Sequence, residues 1–198
     1  AGIKRNGIAS DRAIYPFYNS ITFDTLILPD TIMYFNPVFT YNNATVFEWK
    51  ENFEDAGLSL SRTSKSDTCL YIKADTNNTS NHYGIFYLDD TRTDFQYLSV
   101  DSFVVPMDGS AVYLEMEYQN TNNFFIGIRA IKYQQAVEST VINLFPHPND
   151  MNKIYINLTY EINDNSDAIA FGIFVAAQKD DDVDNAYVKL DNIKLLHF

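Results

Sequence analysis

From Ser20 to its end the chain reads as short runs rich in Val, Ile, Tyr and Phe, broken at close intervals by clusters of Asn, Asp and Pro. That punctuation limits the possible folds more than any other feature. Aromatic and β-branched residues suit a pleated, half-buried surface, while Asn and Asp favour tight turns by bonding their own backbone. The pattern predicts strands over 20–28, 31–35, 45–53, 58–62, 68–74, 83–89, 96–105, 110–119, 124–133, 137–145, 153–160, 168–177 and 186–196. Turn clusters separate them, among them Pro29-Asp30, Asn42-Asn43, Asp89-Asp90, Asn120 to Asn123 and Asn163 to Asp167. Strands with one apolar face must bury it against another such face, so the expected fold is all-β: a two-sheet antiparallel β-sandwich of jelly-roll type.

Two segments alternate clearly. Val112, Leu114, Met116 and Tyr118 oppose Tyr113, Glu115 and Glu117, and Ile154, Ile156, Leu158 and Tyr160 oppose Tyr155, Asn157 and Thr159. Each reads as a strand with a core face and a wetted face. The run Ala168 to Val175 is apolar on both faces and is expected in the middle of a sheet. No window of eleven or more residues carries a helical stripe. Residues 1–19, opening with two glycines and no period, are expected to be a lead or linker. Residues 20–198 then form a single domain, with 20–46 as possible added strands.

Charge narrows the function. Of 198 residues, 26 are acidic and 14 basic, a net charge of −12 that argues against nucleic acid, whose phosphates need a basic face. No apolar run reaches the length of a membrane span, and no basic-then-apolar leader is present, so any export signal is expected to have been removed. The single Cys69 sits within a predicted strand and reads as a small buried thiol. There is no nucleophile elbow, no His-Glu-x-x-His and no phosphate-binding loop, and His82, His147 and His197 are far apart in surface-like contexts. The expectation is a protein that is not an enzyme.

Three arrangements still carry chemistry. Glu115 and Glu117 share a strand face about 6.7 Å apart, a spacing compatible with a pair of glycosidase carboxylates, against the plainer reading of a solvated face with a cross-strand partner such as Arg129 or Lys132. Asp180, Asp182 and Asp184 alternate as calcium ligands do, against the plainer reading of an acidic hairpin that aids solubility. Trp49 belongs with the aromatics that could stand exposed beside polar groups, the usual surface for a sugar. If Asn120 to Asn123 is a hairpin turn, strands 110–119 and 124–133 pair, and the register that keeps Arg129 out of the core sets it opposite Glu115. Tyr113, Glu115, Arg129 and Trp49 are therefore the expected ligand-binding residues.

Four segments recur in a familiar order: Asn52-Phe53-Glu54-Asp55, Val112 to Tyr118, Asn152 to Thr159, and Val188-Lys189-Leu190-Asp191-Asn192-Ile193. They resemble exported lipoproteins of Bacteroides-type gut anaerobes whose domain is similar to carbohydrate-binding-module and galactose-binding-like jelly rolls. The position before Asn152, usually Trp in such chains, is Met151 here. The resemblance implies an outer-membrane or cell-surface location through a lipid on an N-terminal Cys that this sequence does not contain. It also implies a structural calcium held by Glu54 or Asp55 with Asp191. The function expected is a non-catalytic surface module that binds a polysaccharide or a surface protein. A structural or adhesive domain without a sugar site is the alternative, and a glycosidase through Glu115 and Glu117 is the second.

Overall fold

A computed structural model of the chain describes residues 4–5, 8–9, 13–14, 46–55, 57–64, 68–105, 111–133 and 135–197. The strands expected at 20–28 and 31–35 lie outside them, as does most of the expected N-terminal lead. Within the described residues the fold is the expected two-sheet antiparallel β-sandwich. Two short pieces, β1 (Lys4–Arg5) and β2 (Ile8–Ala9), pair with each other, and β3 (Ala13–Ile14) joins the edge of the larger sheet. The remaining strands are β4 (Val46–Glu51), β5 (Leu60–Arg62), β6 (Leu70–Ala74), β7 (His82–Leu88), β8 (Asp94–Ser99), β9 (Val112–Asn120), β10 (Phe124–Lys132), β11 (Gln135–Leu144), β12 (His147–Asn157), β13 (Ala170–Gln178) and β14 (Ala186–His197).

The smaller sheet runs β11-β10-β13-β8-β5 and the larger β3-β12-β9-β14-β7-β6, with β4 also on β14. The doubly apolar segment expected in mid-sheet is β13, the central strand of the five. β14 is long enough to pair with β7 through residues 186–190 and with β4 through 193–197. Between the two halves Asn192 takes a left-handed conformation (φ 50°), which Asn tolerates better than most residues, and breaks the register against β9.

The core lies between the sheets. Leu114, Met116 and Tyr118 of β9 and Val188 and Leu190 of β14 face Phe124, Ile126 and Ile128 of β10 and Phe171, Ile173 and Val175 of β13, all buried. Phe86 stacks on Phe95 at 4.5 Å between ring centres, with Tyr97 edge-on at 5.1 Å, and each such pair adds about 0.5–1.5 kcal/mol beyond its burial. Cys69 is buried, as expected for a structural thiol.

Two sequence expectations fail here. Strands β9 and β10 are not a hairpin: β9 sits between β12 and β14 in one sheet, and β10 sits between β11 and β13 in the other. Asn120 to Asn123 is an arch that carries the chain across the sandwich. Asn120 and Asn122 are both fully buried within it, and their amides bond the carbonyls of Phe145 and Gln178. The second failure is at 153–160, where the strand stops at Asn157 and a short helix, α1 (Thr159–Asp164), follows. Asn157 Oδ1 accepts the Thr159 amide at 2.9 Å, so a side chain takes over where the ladder would have continued.

Candidate binding face

The outward-facing residues of the five-stranded sheet come from alternate positions: Gln96 and Leu98 on β8, Gly172, Phe174 and Ala176 on β13, Phe125, Gly127, Arg129 and Ile131 on β10, and Glu138 and Thr140 on β11. Phe174 is the anomaly. It points away from the sandwich core yet is only 5% exposed. Its ring lies across Gly127, where a Cβ would come within 2.2 Å of the ring and 2.5 Å of the Ser139 carbonyl oxygen. Only glycine leaves room for the ring to approach the sheet this closely.

This face is curved inward. Gln96 on β8 and Glu138 on β11 are separated by two intervening strands, yet Gln96 Nε2 donates to Glu138 Oε2 at 2.8 Å. In a flat sheet three strand spacings alone would set their backbones about 14 Å apart, more than these side chains span with one hydrogen bond. The sheet therefore closes over its own outer side and forms a trough with Phe174 in its floor. Half-buried Phe125 and Arg129 lie on the same side. Arg129 pairs in register with Gly172 and Glu138, and its Nε is buried without a hydrogen-bond partner. An aromatic floor, an amide, a carboxylate and an unsatisfied guanidinium thus share one concave surface.

The residues expected to bind ligand do not form one face. Arg129 lies in this trough, but Glu115 and Tyr113 are on β9 in the other sheet, so the expected pairing of Arg129 with Glu115 does not exist. Glu115 is fully buried, 2.9 Å from Lys153 Nζ on β12 and 3.5 Å from Lys194 Nζ on β14. Two ammonium groups neutralise it, and no substrate could reach it. Glu117 accepts from Asn192 Nδ2 at 3.4 Å. That geometry removes Glu115 and Glu117 as a glycosidase pair. Half-buried Tyr113 stands opposite Asn157 and Leu196. Trp49, expected as an exposed ring, is 7% exposed and belongs to the core.

The acids expected to hold calcium are engaged by other groups or stand exposed. Glu54 accepts the His82 amide at 2.6 Å and meets its Nδ1 at 2.9 Å, which holds its carboxyl below the usual range. Asp55 is exposed. Asp191 is buried beside the bulge, accepting from Asn81 Nδ2 at 3.1 Å and from the Asn192 amide at 2.7 Å. Burial pushes its carboxyl up to about 6, against the lowering effect of those bonds and with help from Glu117 and Glu54. In the acidic loop Asp180 Oδ2 accepts both the backbone and the side-chain amide of Asn123, tying the loop to the arch, while Asp182 and Asp184 are exposed. Among the described residues no three His, Cys, Asp or Glu side chains converge on one point.

No protein-family model matches the chain, and no curated protein does. Solved structures do. The chain is similar in fold to the CBM22-2 xylan-binding domain of a Paenibacillus barcinonensis protein, with a TM-score of 0.54 and 11% identity over 76% of this chain and 99% of that one. It is also similar to the C-terminal family 22 carbohydrate-binding module of a Clostridium thermocellum protein, at TM-score 0.51 and 12% identity, covering 76% of this chain and 94% of that. A third likeness, at TM-score 0.52 and 14% identity, is to the enzymatically active domain of tailspike protein 4 of bacteriophage CBA120, of which it covers 20%. At these identities the likeness is one of fold.

Proposed function

We propose that the chain is a non-catalytic glycan-binding module whose ligand lies in the trough of the five-stranded sheet. The observation that carries this is the buried, outward-facing Phe174 beneath Gln96, Glu138 and the unsatisfied Nε of Arg129. A pyranose has an apolar face and a rim of hydroxyls, so a ring in the floor and hydrogen-bonding groups around it match its two kinds of surface. An incoming hydroxyl would replace the Gln96–Glu138 bond and give Arg129 a partner. The fold shared with two carbohydrate-binding domains supports the reading by analogy.

The test is calorimetry with xylo-, manno- and galacto-oligosaccharides. Binding of one of them, lost in Arg129→Ala with the melting temperature kept, is the expected result. No binding to any, or binding unchanged in Arg129→Ala, would overturn the reading and leave an adhesive or structural surface domain. An exported, cell-surface lipoprotein is the setting we propose, resting on the Phe53-Glu54-Asp55 and Leu190-Asp191-Asn192-Ile193 pairing. For calcium, the donor sets fit poorly as they stand, because Glu54 is engaged by His82 and Asp55 is exposed. Melting with calcium against chelator decides that point, and a rise of several degrees would restore the Glu54–Asp191 site.

A further inference from the structure

The outer side of the larger sheet has a second feature, at the opposite end of the molecule's charge balance. Strands β6, β7 and β14 are neighbours, and their register puts Tyr71 and Lys73, Tyr83 and Tyr87, and Tyr187 and Lys189 on one side. Tyr187 is directly opposite Tyr87, and Lys73 directly opposite Tyr83. Tyr71 is 44% exposed. The Tyr71 and Tyr87 rings are 5.8 Å apart and tilted by 58°, forming a shallow V.

Cations are held among these rings. Lys189 Nζ sits 3.7 Å from the centre of the Tyr83 ring, and Lys73 Nζ donates to Tyr87 Oη at 2.6 Å. Arg92 Nη1 donates to Tyr71 Oη at 2.8 Å while its other nitrogens grip Asp89. In a chain with 26 acidic and 14 basic residues, a lysine would ordinarily find a carboxylate. Among the described residues Lys73 and Lys189 form no ion pair, and their ammonium groups meet tyrosines instead. The acids on this side are engaged elsewhere: Asp89 by Arg92, Glu115 by Lys153 and Lys194, Glu117 by Asn192, and Asp191 by Asn81.

We propose that this tyrosine–lysine surface is a second binding site, for an anionic glycan carrying uronate carboxylates or sulfate esters. The rings offer stacking to the apolar faces of sugar residues, and Lys73 and Lys189 offer unneutralised ammonium groups to the acidic substituents. The surface spans three strands and the four-residue rise from Tyr83 to Tyr87, about 10 by 14 Å, and so suits an extended chain more than a single sugar. It is on the other sheet from the trough and does not depend on it.

The experiment measures binding of hexagalacturonate, a chondroitin sulfate hexasaccharide and neutral xylohexaose to the whole chain, to Lys73→Ala/Lys189→Ala, to Tyr71→Ala and to Arg129→Ala. At least one anionic probe should bind, weakening about tenfold in the lysine double variant and in Tyr71→Ala, and weakening further with added salt. Arg129→Ala should leave that binding unchanged. No binding of either anionic probe would overturn the proposal, as would equal binding by the double variant or loss in Arg129→Ala alone. Because the neutral probe and Arg129 report on the trough, failure of one site is read separately from failure of the other. Matching melting curves check that each variant folds.

Discussion

The two outer sides of the sandwich use the same materials in opposite ways. On the five-stranded sheet the surface curves in, a phenyl ring is pressed against a glycine, and a guanidinium nitrogen is left without a partner. On the larger sheet the tyrosines keep their rings partly exposed, the ammonium groups of Lys73 and Lys189 sit against those rings, and those of Lys153 and Lys194 flank buried Glu115. The first holds unsatisfied polarity in a recess, where a ligand gains most from completing it. The second displays charge, where salt competes and affinity comes from several weak contacts. A fold with two sheets thus offers two kinds of surface, and curvature decides which is which.

The sharpest way to break that contrast is to fill the space beneath Phe174. Gly127→Val places methyl groups against both the ring and the Ser139 carbonyl, and backbone cannot give way. It should cost about 3 kcal/mol, a fall of roughly 6–12 °C in melting temperature, and abolish neutral-glycan binding by lifting the floor. On the other sheet, Glu115→Gln leaves Lys153 and Lys194 facing a neutral group. Since both lysines are partly solvated, the loss should be about 2 kcal/mol by urea denaturation, smaller than for a fully enclosed pair.

Asp191 gives a stability change of opposite sign. Its carboxyl titrates near 6 in the folded chain against a reference of 3.8, so between those values the folded state keeps a proton that the unfolded state has lost. Stability should therefore fall as pH rises from about 4 to 6 and stay lowered above that window. Asp191→Asn should flatten this part of the curve and raise stability at pH 8 by about 1 kcal/mol, the gain being trimmed by altered bonds to Asn81 and Asn192. If the wild-type curve rises through that window instead, Asp191 is already balanced by a cation. The smallest effect should come from Lys189→Ala, about 0.5 kcal/mol by the same denaturation assay, because its contact with Tyr83 is at the surface.

Much of the sandwich was legible because its signals are local. Alternation over 112–118 marks which side of β9 is core, and the doubly apolar stretch from Ala168 identifies a central strand, since both depend only on side-chain period. The arch at Asn120 to Asn123 was not legible, because a short polar connection reads alike whether it reverses within one sheet or crosses to the facing one. What distinguishes it is burial of Asn120 and Asn122, a tertiary property. The same error placed Arg129 beside Glu115. Trp49 misled for a related reason: among 29 tyrosines and phenylalanines and one Trp, composition does not sort exposed rings from packed ones. The tyrosine surface is not legible in the sequence because β14 lies about a hundred residues beyond β6 and β7, and only its pairing with β7 brings Tyr187 and Lys189 beside Tyr71 and Tyr87.

The double partnership of β14 also bears on how the chain acquires its shape during synthesis. One half of this strand joins β7, the other joins β4, and its far edge carries β9, so three segments made much earlier wait on residues 186–197 before the larger sheet has a middle. A nascent chain lacking these residues would present β4, β7 and β9 with unmatched amides and carbonyls, open to pairing with other chains. Closure between such distant segments is slow, and the arrival of β14 is the event that commits the chain.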